Sequence, residues 1–113
     1  MKIGIILNGI SRKKKFFYAS ICPALQQNYR AEVLETQHAQ HAIELASSLA
    51  KEKYDYILSA GGDGTLNQVA NGVLLNHQNG NFLPAIGVIP LGSGNDFAKM
   101  CGLKPDANQI STL

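Results

Sequence analysis

The sequence predicts an α/β domain of three layers, with a mostly parallel, Rossmann-like sheet between helices. Three observations predict it. Short apolar runs near residues 2–8, 31–35, 55–60 and 85–90 alternate with segments of helical period. The runs at 2–7 and 85–89 are almost continuously apolar, the pattern of strands covered on both faces. Glycine-rich stretches follow two of the runs and lead into helices, which is where parallel sheets carry ligand loops.

The elements follow in order. Lys2 to Leu7 is the first strand, and Asn8-Gly9 ends it. Gly9 through Lys15 is the first connecting loop, rich in positive charge. Phe16 to Asn28 has helical spacing, with Phe17, Ile21, Ala24 and Leu25 on one face. Pro23 either kinks that helix or starts a second one after Ser20 or Cys22. Ala31 to Leu34 is a short second strand, and Thr36 or Gln37 can begin the next helix. Its stripe is Ala42, Ile43, Ala46, Leu49 and Ala50, with Glu44 and Lys51 outside. Asp55 to Ala60 is the third strand. Leu66, Val69, Ala70, Val73 and Leu74 then repeat at helical spacing to about His77, and Thr65 and Gln68 are spaced as a capping box. Gln78 to Asn81 is a surface turn, and Ala85 to Ile89 is the fourth strand. Gly102 stops a last helix, and Pro105 prevents its return.

A chain of 113 residues can bury one core, so residues 1–113 are expected to form a single domain. Apolar residues at 45 % and charged residues at 16 % suit a folded domain. A net charge of +2 gives no argument for nucleic acid, and none is expected as partner. The basic residues Lys2, Arg12, Lys13, Lys14, Lys15 and Arg30 all precede the first acid, Glu32. The run 12–15 is either a solvated loop or a contact for phosphates or an anionic lipid surface. Cys22 and Cys101 match no metal spacing and no redox pair, and read as buried thiols. His38 and His41 read as a helix start, with no third metal ligand evident. No signal peptide or membrane span is visible, so the cytoplasm is the expected compartment. Pro105 to Leu113 opens a new polar-to-apolar segment and then stops, as in a piece of a longer protein.

The chemistry centres on Gly61-Gly62-Asp63-Gly64-Thr65, between a strand and a helix. Glycine leaves room for another group against the backbone, and the first helical turn exposes unpaired N–H groups. A phosphate-bearing ligand fits there, and a tight turn without a ligand is the plain alternative. The stretch is not a P-loop, and Asn67 stands where a dinucleotide fingerprint needs its last glycine. Asp63 near a helix start also has a purely structural use. Asn8 ends the first strand on the same sheet edge. Pro90 to Ala98 repeats the design, with Ser93, Asn95 and Asp96 opening a helix. Two such loops at one sheet edge argue for a single polar pocket.

Together these loops resemble the signatures of the diacylglycerol kinase and sphingosine kinase family, the bacterial lipid kinases above all. Residues 61–72 follow its first signature and 90–98 its second, Asn8 fits its strand-end asparagine, and Thr36 fits its threonine before the second helix. NAD kinase is a more distant cousin that shares the Gly-Gly-Asp-Gly-Thr loop. The resemblance implies the N-terminal, nucleotide-binding part of a two-domain kinase, without its β-rich second domain, which carries much of the lipid pocket and the general base. It implies ATP near Asn8, Thr36, Gly61, Gly62, Asp63, Gly64 and Thr65, with Asn95 and Asp96 lining or bracing the site. Asp63 is then the expected catalytic residue, as a Mg²⁺ ligand or by orienting the acceptor hydroxyl. The implied activity moves the γ-phosphoryl group of ATP to a lipid hydroxyl such as that of diacylglycerol, on a peripheral membrane enzyme. An NAD kinase-like enzyme and a non-catalytic nucleotide-binding module are the alternatives. Two departures stand out. Gln68 replaces the family's usual glutamate, and Gly9 replaces a common proline, which is expected to leave the first loop more mobile. A homodimer is expected if the piece exposes the face its second domain would cover.

Overall fold

The structure, a computed structural model, describes residues 1–77 and 83–91. Strands β1 (Lys2–Leu7), β2 (Arg30–Glu35), β3 (Tyr56–Gly61) and β4 (Ala85–Pro90) form one parallel sheet in the order β2-β1-β3-β4. The strand predictions hold to within about a residue at each end.

The crossovers cover both faces of the sheet. After β1, helix α1 (Lys14–Phe16) runs into a wide π-type turn, Phe17–Ile21, and then into α2 (Cys22–Asn28). Pro23 lies in the first turn of α2. It has no N–H to return to the preceding turn, and the wider turn there accommodates it. Phe17, Ile21, Cys22 and Leu25 bury against Ile3, Ile5, Leu7, Leu58 and Ala60. Burial raises the Cys22 thiol pKa above its ordinary value, as suits a core thiol. On the other face lie α3 (His41–Lys51) and α4 (Asp63–His77). Ala42, Ala46, Leu49 and Ala50 pack there with Ile6, Ile57, Val69 and Val73. Strand alternation sends Ile5 to one core and Ile6 to the other.

The two helices approach closely at Gly72. A Cβ there would overlap the Ile43 carbonyl oxygen and lie 2.9 Å from Ala46 Cβ. Gly72 closes the first signature in sequence, yet its work is packing. Gly72→Ala should therefore destabilise the fold by about 1–3 kcal/mol. A thermal melt that leaves the midpoint unchanged would refute this.

Three sequence expectations need correction. Helix α3 begins at His41, not at Thr36 or Gln37. The Thr36 N–H donates to the Leu7 carbonyl at 2.9 Å, prolonging the sheet, and Gln40 has a left-handed φ of 63°. The capping box does not form. Helix α4 begins at Asp63, and the Leu66 N–H donates to the Gly62 carbonyl at 3.2 Å, so Thr65 is already helical. Leu74 is half exposed, because the buried stripe runs through Val69, Gly72, Val73 and Asn76. With Leu75, Leu83 and Ile86 it leaves apolar surface on α4, at the start of β4 and just before it. The surface turn at 78–81, Ser93, the last helix and Cys101 lie outside the described residues. Among the described residues, no helix is long and apolar enough to cross a membrane.

Candidate functional site

The strand order creates one switch point, between β1 and β3. From β1 the chain crosses to one side of the sheet, and from β3 to the other, so the connecting loops part and leave a crevice at the carboxyl ends. Backbone hydrogen bonds join the strand ends along that edge. Thr36 N–H donates to Leu7 O at 2.9 Å, Asn8 N–H to Ala60 O at 2.9 Å, and Leu91 N–H to Gly61 O at 3.0 Å. Thr36, Asn8, Gly61 and Leu91 therefore stand in a row.

Two cavities open along this row. The larger, about 670 Å³, has Asn8, Glu35, Thr36, Gly62, Gly64 and Thr65 on its walls. Its size is in the range of small-molecule sites. The second, about 480 Å³, lies beside Arg12, Lys13, Gly61 and Leu91. Asn8, Ile10 and Gly62 border both.

The first loop is built by local bonds. Asn8 Oδ1 accepts the Ile10 N–H at 3.2 Å, and the Asn8 carbonyl accepts the Ser11 N–H at 3.0 Å, an asparagine-led turn. Gly9 N–H donates to Thr36 Oγ1 at 3.0 Å, and a Cβ on Gly9 would overlap the Thr36 carbonyl oxygen. Glycine thus ties this loop to the end of β2 instead of loosening it. Proline would lose the donor and collide.

The second loop presents a helix N-terminus. The first-turn N–H groups of α4 have no acceptor within the helix, and its dipole places partial positive charge there. Gly62, Gly64 and Thr65 put that end on the larger cavity's wall. Gly61 is packed tightly, since a Cβ on it would lie 2.7 Å from Thr65 Oγ1 and 3.1 Å from Asn8 Cβ. Gly64 is the opposite case: a Cβ there would meet nothing within 4 Å. Asp63 is exposed at the first position of α4 and lies on the wall of neither cavity. Asn8, Thr36, Gly61, Gly62, Gly64 and Thr65 lie along this edge on the walls of the two cavities, with Asp63 beside them. Asn95 and Asp96 lie outside the described residues.

Sequence reasoning missed the far wall. Lys14, Glu35, Gln37, His38 and Gln40 line it, and Gln68 faces the same space from α4. Glu35 carries two contacts: Lys14 Nζ lies 2.7 Å from its Oε1, and the Tyr18 hydroxyl donates to its Oε2 at 2.5 Å. The bond from Lys14, then that from Tyr18, holds the Glu35 carboxyl below its ordinary pKa. Burial and then the bond to Glu35 push the Tyr18 phenol up to about 12, so it remains a donor. The available signal was position, since Glu35 ends β2 on the ligand edge.

Glu44 supplies the third group that the sequence did not reveal beside His38 and His41, with ligand atoms within 4.8 Å of one another. The histidine rings stack at 4.3 Å. However, His41 Nδ1 already accepts the Gln37 N–H at 2.9 Å, which braces the turn before α3. In that neutral tautomer the other ring nitrogen carries the proton, so His41 is not set up as a metal ligand.

Comparison with known proteins agrees with this architecture. The family model for the diacylglycerol kinase catalytic domain matches residues 2–113. A diacylglycerol kinase of Bacillus subtilis (strain 168) is 34 % identical over 108 residues, covering 91 % of this chain and 34 % of that protein. Sphingosine kinase 1 of Arabidopsis thaliana is 36 % identical over 104 residues, covering 87 % of this chain and 21 % of that protein. A crystal structure of a diacylglycerol kinase from Bacillus anthracis strain Sterne superposes with a TM-score of 0.79 at 25 % identity, covering 97 % of this chain and 40 % of that one. The chain spans about a third of the Bacillus subtilis enzyme. With the parallel sheet, the crevice at its switch point and the family match over nearly its whole length, the chain belongs to the diacylglycerol kinase catalytic-domain family of lipid kinases.

Proposed function

We infer that this chain is the nucleotide-binding part of an ATP-dependent lipid kinase that transfers the γ-phosphoryl group of ATP to a lipid hydroxyl such as that of diacylglycerol. The observation that carries this is the cavity of about 670 Å³ at the switch point, with the α4 N-terminus on its wall. Backbone N–H groups at 63–65 are donors for phosphate oxygens, and open Gly64 lets them approach. Asp63 offers a hard oxygen donor beside them, and one carboxylate plus phosphate oxygens is a donor set that suits Mg²⁺. When bound, that ion supplies neutralisation of phosphate charge. The same carboxylate has a second use open to it, orienting the acceptor hydroxyl.

The lipid side of the reaction is assigned to a second, β-rich domain of the whole protein. The names of the relatives support a lipid acceptor over NAD. Ile10, 89 % exposed in the loop with Arg12 and Lys13, supports contact with an anionic membrane surface. The apolar surface of Leu74, Leu75, Leu83 and Ile86 is where the second domain, or a second copy of the isolated piece, would pack.

The test is a transfer assay on the full-length protein. Radiolabelled ATP is offered with diacylglycerol, sphingoid bases, phosphatidylglycerol and NAD in turn. Label entering a lipid is the expected result. Label entering NAD alone would replace the proposal with an NAD kinase. ATP binding without transfer to any acceptor would leave a binding module. The isolated 113-residue chain should transfer nothing, because in-line transfer needs both substrates held and this part supplies loops for one.

A further inference from the structure

The larger cavity has two chemically different ends. One is the α4 N-terminus, a site for anions. The other is formed by Glu35 and the residues after β2. Strand β1 lies between β2 and β3, so the two ends are separated by two strand spacings, about 10 Å. Among the described residues on the cavity wall, Glu35 is the one carboxylate. Without a cation between them, a carboxylate repels phosphate. It is suited to accept hydrogen bonds from neutral hydroxyl groups.

The carboxylate is held in place. Lys14 takes one lone pair of Oε1 and Tyr18 one lone pair of Oε2. An ionised carboxylate has about four acceptor positions, so roughly two remain. The side chain is 27 % exposed, which leaves the group reachable from the cavity. In dinucleotide-binding α/β folds, which this chain resembles in sheet and crevice though not in loop sequence, an acidic side chain accepts the ribose 2′-hydroxyl while the pyrophosphate sits at a helix N-terminus.

The geometry points to Glu35 as the residue that accepts the ribose 2′-hydroxyl of the bound nucleotide, with Tyr18 and Lys14 as positioning residues that aim its carboxylate. This rests on the nucleotide site proposed above and adds its polarity: phosphates toward α4, ribose toward β2. It also assigns a selectivity, for ribonucleotides over 2′-deoxyribonucleotides. A hydrogen bond to a charged acceptor is worth enough to give roughly tenfold discrimination.

The test is calorimetric titration of the full-length protein with ATP and with 2′-deoxy-ATP. The wild type should bind ATP about tenfold more tightly. In Glu35→Gln, nearly the same shape without the charge, the affinity for ATP should fall toward that for 2′-deoxy-ATP. Tyr18→Phe leaves the carboxylate in place but frees it to turn, and should reduce the ratio part of the way. A merely structural role for Tyr18 would weaken both nucleotides equally and leave the ratio intact. Equal binding of the two nucleotides by wild type, or an unchanged ratio in Glu35→Gln, overturns the assignment of Glu35 while the nucleotide site stands. Failure of wild type to bind either nucleotide overturns both.

Discussion

Asp63→Asn in the full-length protein should lower kcat/KM at least about tenfold, equivalent to about 1.4 kcal/mol of transition-state stabilisation. Asp63 is exposed at the first position of α4, between two glycines and beside the row of strand ends. Three uses compete for that carboxylate: Mg²⁺ coordination, orientation of the lipid hydroxyl, and favourable charge at a helix N-terminus. The last is a stability effect of about 0.3–1 kcal/mol. Asparagine keeps the shape and removes the charge, so the thermal midpoint should move little while the rate falls. Partial rescue by raised Mg²⁺ or by Mn²⁺ identifies the metal role. A loss that no metal concentration repairs, with ATP binding intact, identifies the acceptor role. Wild-type turnover in the variant would leave only the helix-end role.

Alanine at Gly61 and at Gly64 should have opposite effects on stability and the same effect on nucleotide binding. At Gly61 the new Cβ would press on Thr65 Oγ1 at 2.7 Å and Asn8 Cβ at 3.1 Å, on backbone already fixed by the Leu91 bond. Relief requires Thr65 or Asn8 to shift, at a cost of about 1–3 kcal/mol, and both are cavity residues. Gly61→Ala should therefore lower the thermal midpoint and weaken ATP binding. At Gly64 the Cβ meets nothing within 4 Å, and alanine is the better helix former by up to about 1 kcal/mol. Gly64→Ala should raise the midpoint slightly. It should still weaken ATP binding, because a methyl group would stand where the phosphates are proposed to approach the backbone. Thermal melts and calorimetry on both variants separate the two quantities. Gly64→Ala with undiminished ATP affinity would mean that nothing approaches the backbone there.

The strand-end residues of the site were legible in the sequence, and the far wall of its cavity was not. The four strands were readable because an apolar run such as residues 3–7 is too short for a buried helix and too apolar for a surface loop. The site row was readable because Asn8 and Gly61 each end a strand. The helix starts were misjudged for tertiary reasons. Thr36 spends its N–H on Leu7 and its hydroxyl on Gly9, and neither partner is close in sequence. Glu35 was missed because its neighbours Lys14 and Tyr18 come from the crossover before β2 and reach it only once β2 pairs with β1. Gly72 was read with the signature around it, although its contacts are with Ile43 and Ala46 on α3.

The most direct measurement is a crystal structure of the full-length protein with a non-hydrolysable ATP analogue. The nucleotide should lie across the carboxyl edge of the sheet, in the crevice that runs from the α4 N-terminus past β1 toward the end of β2, with phosphate oxygens within hydrogen-bond distance of the N–H groups at 63–65. A nucleotide bound at the opposite edge, beside Lys2 and Asp55, or with its phosphates away from the α4 N-terminus, would refute this placement.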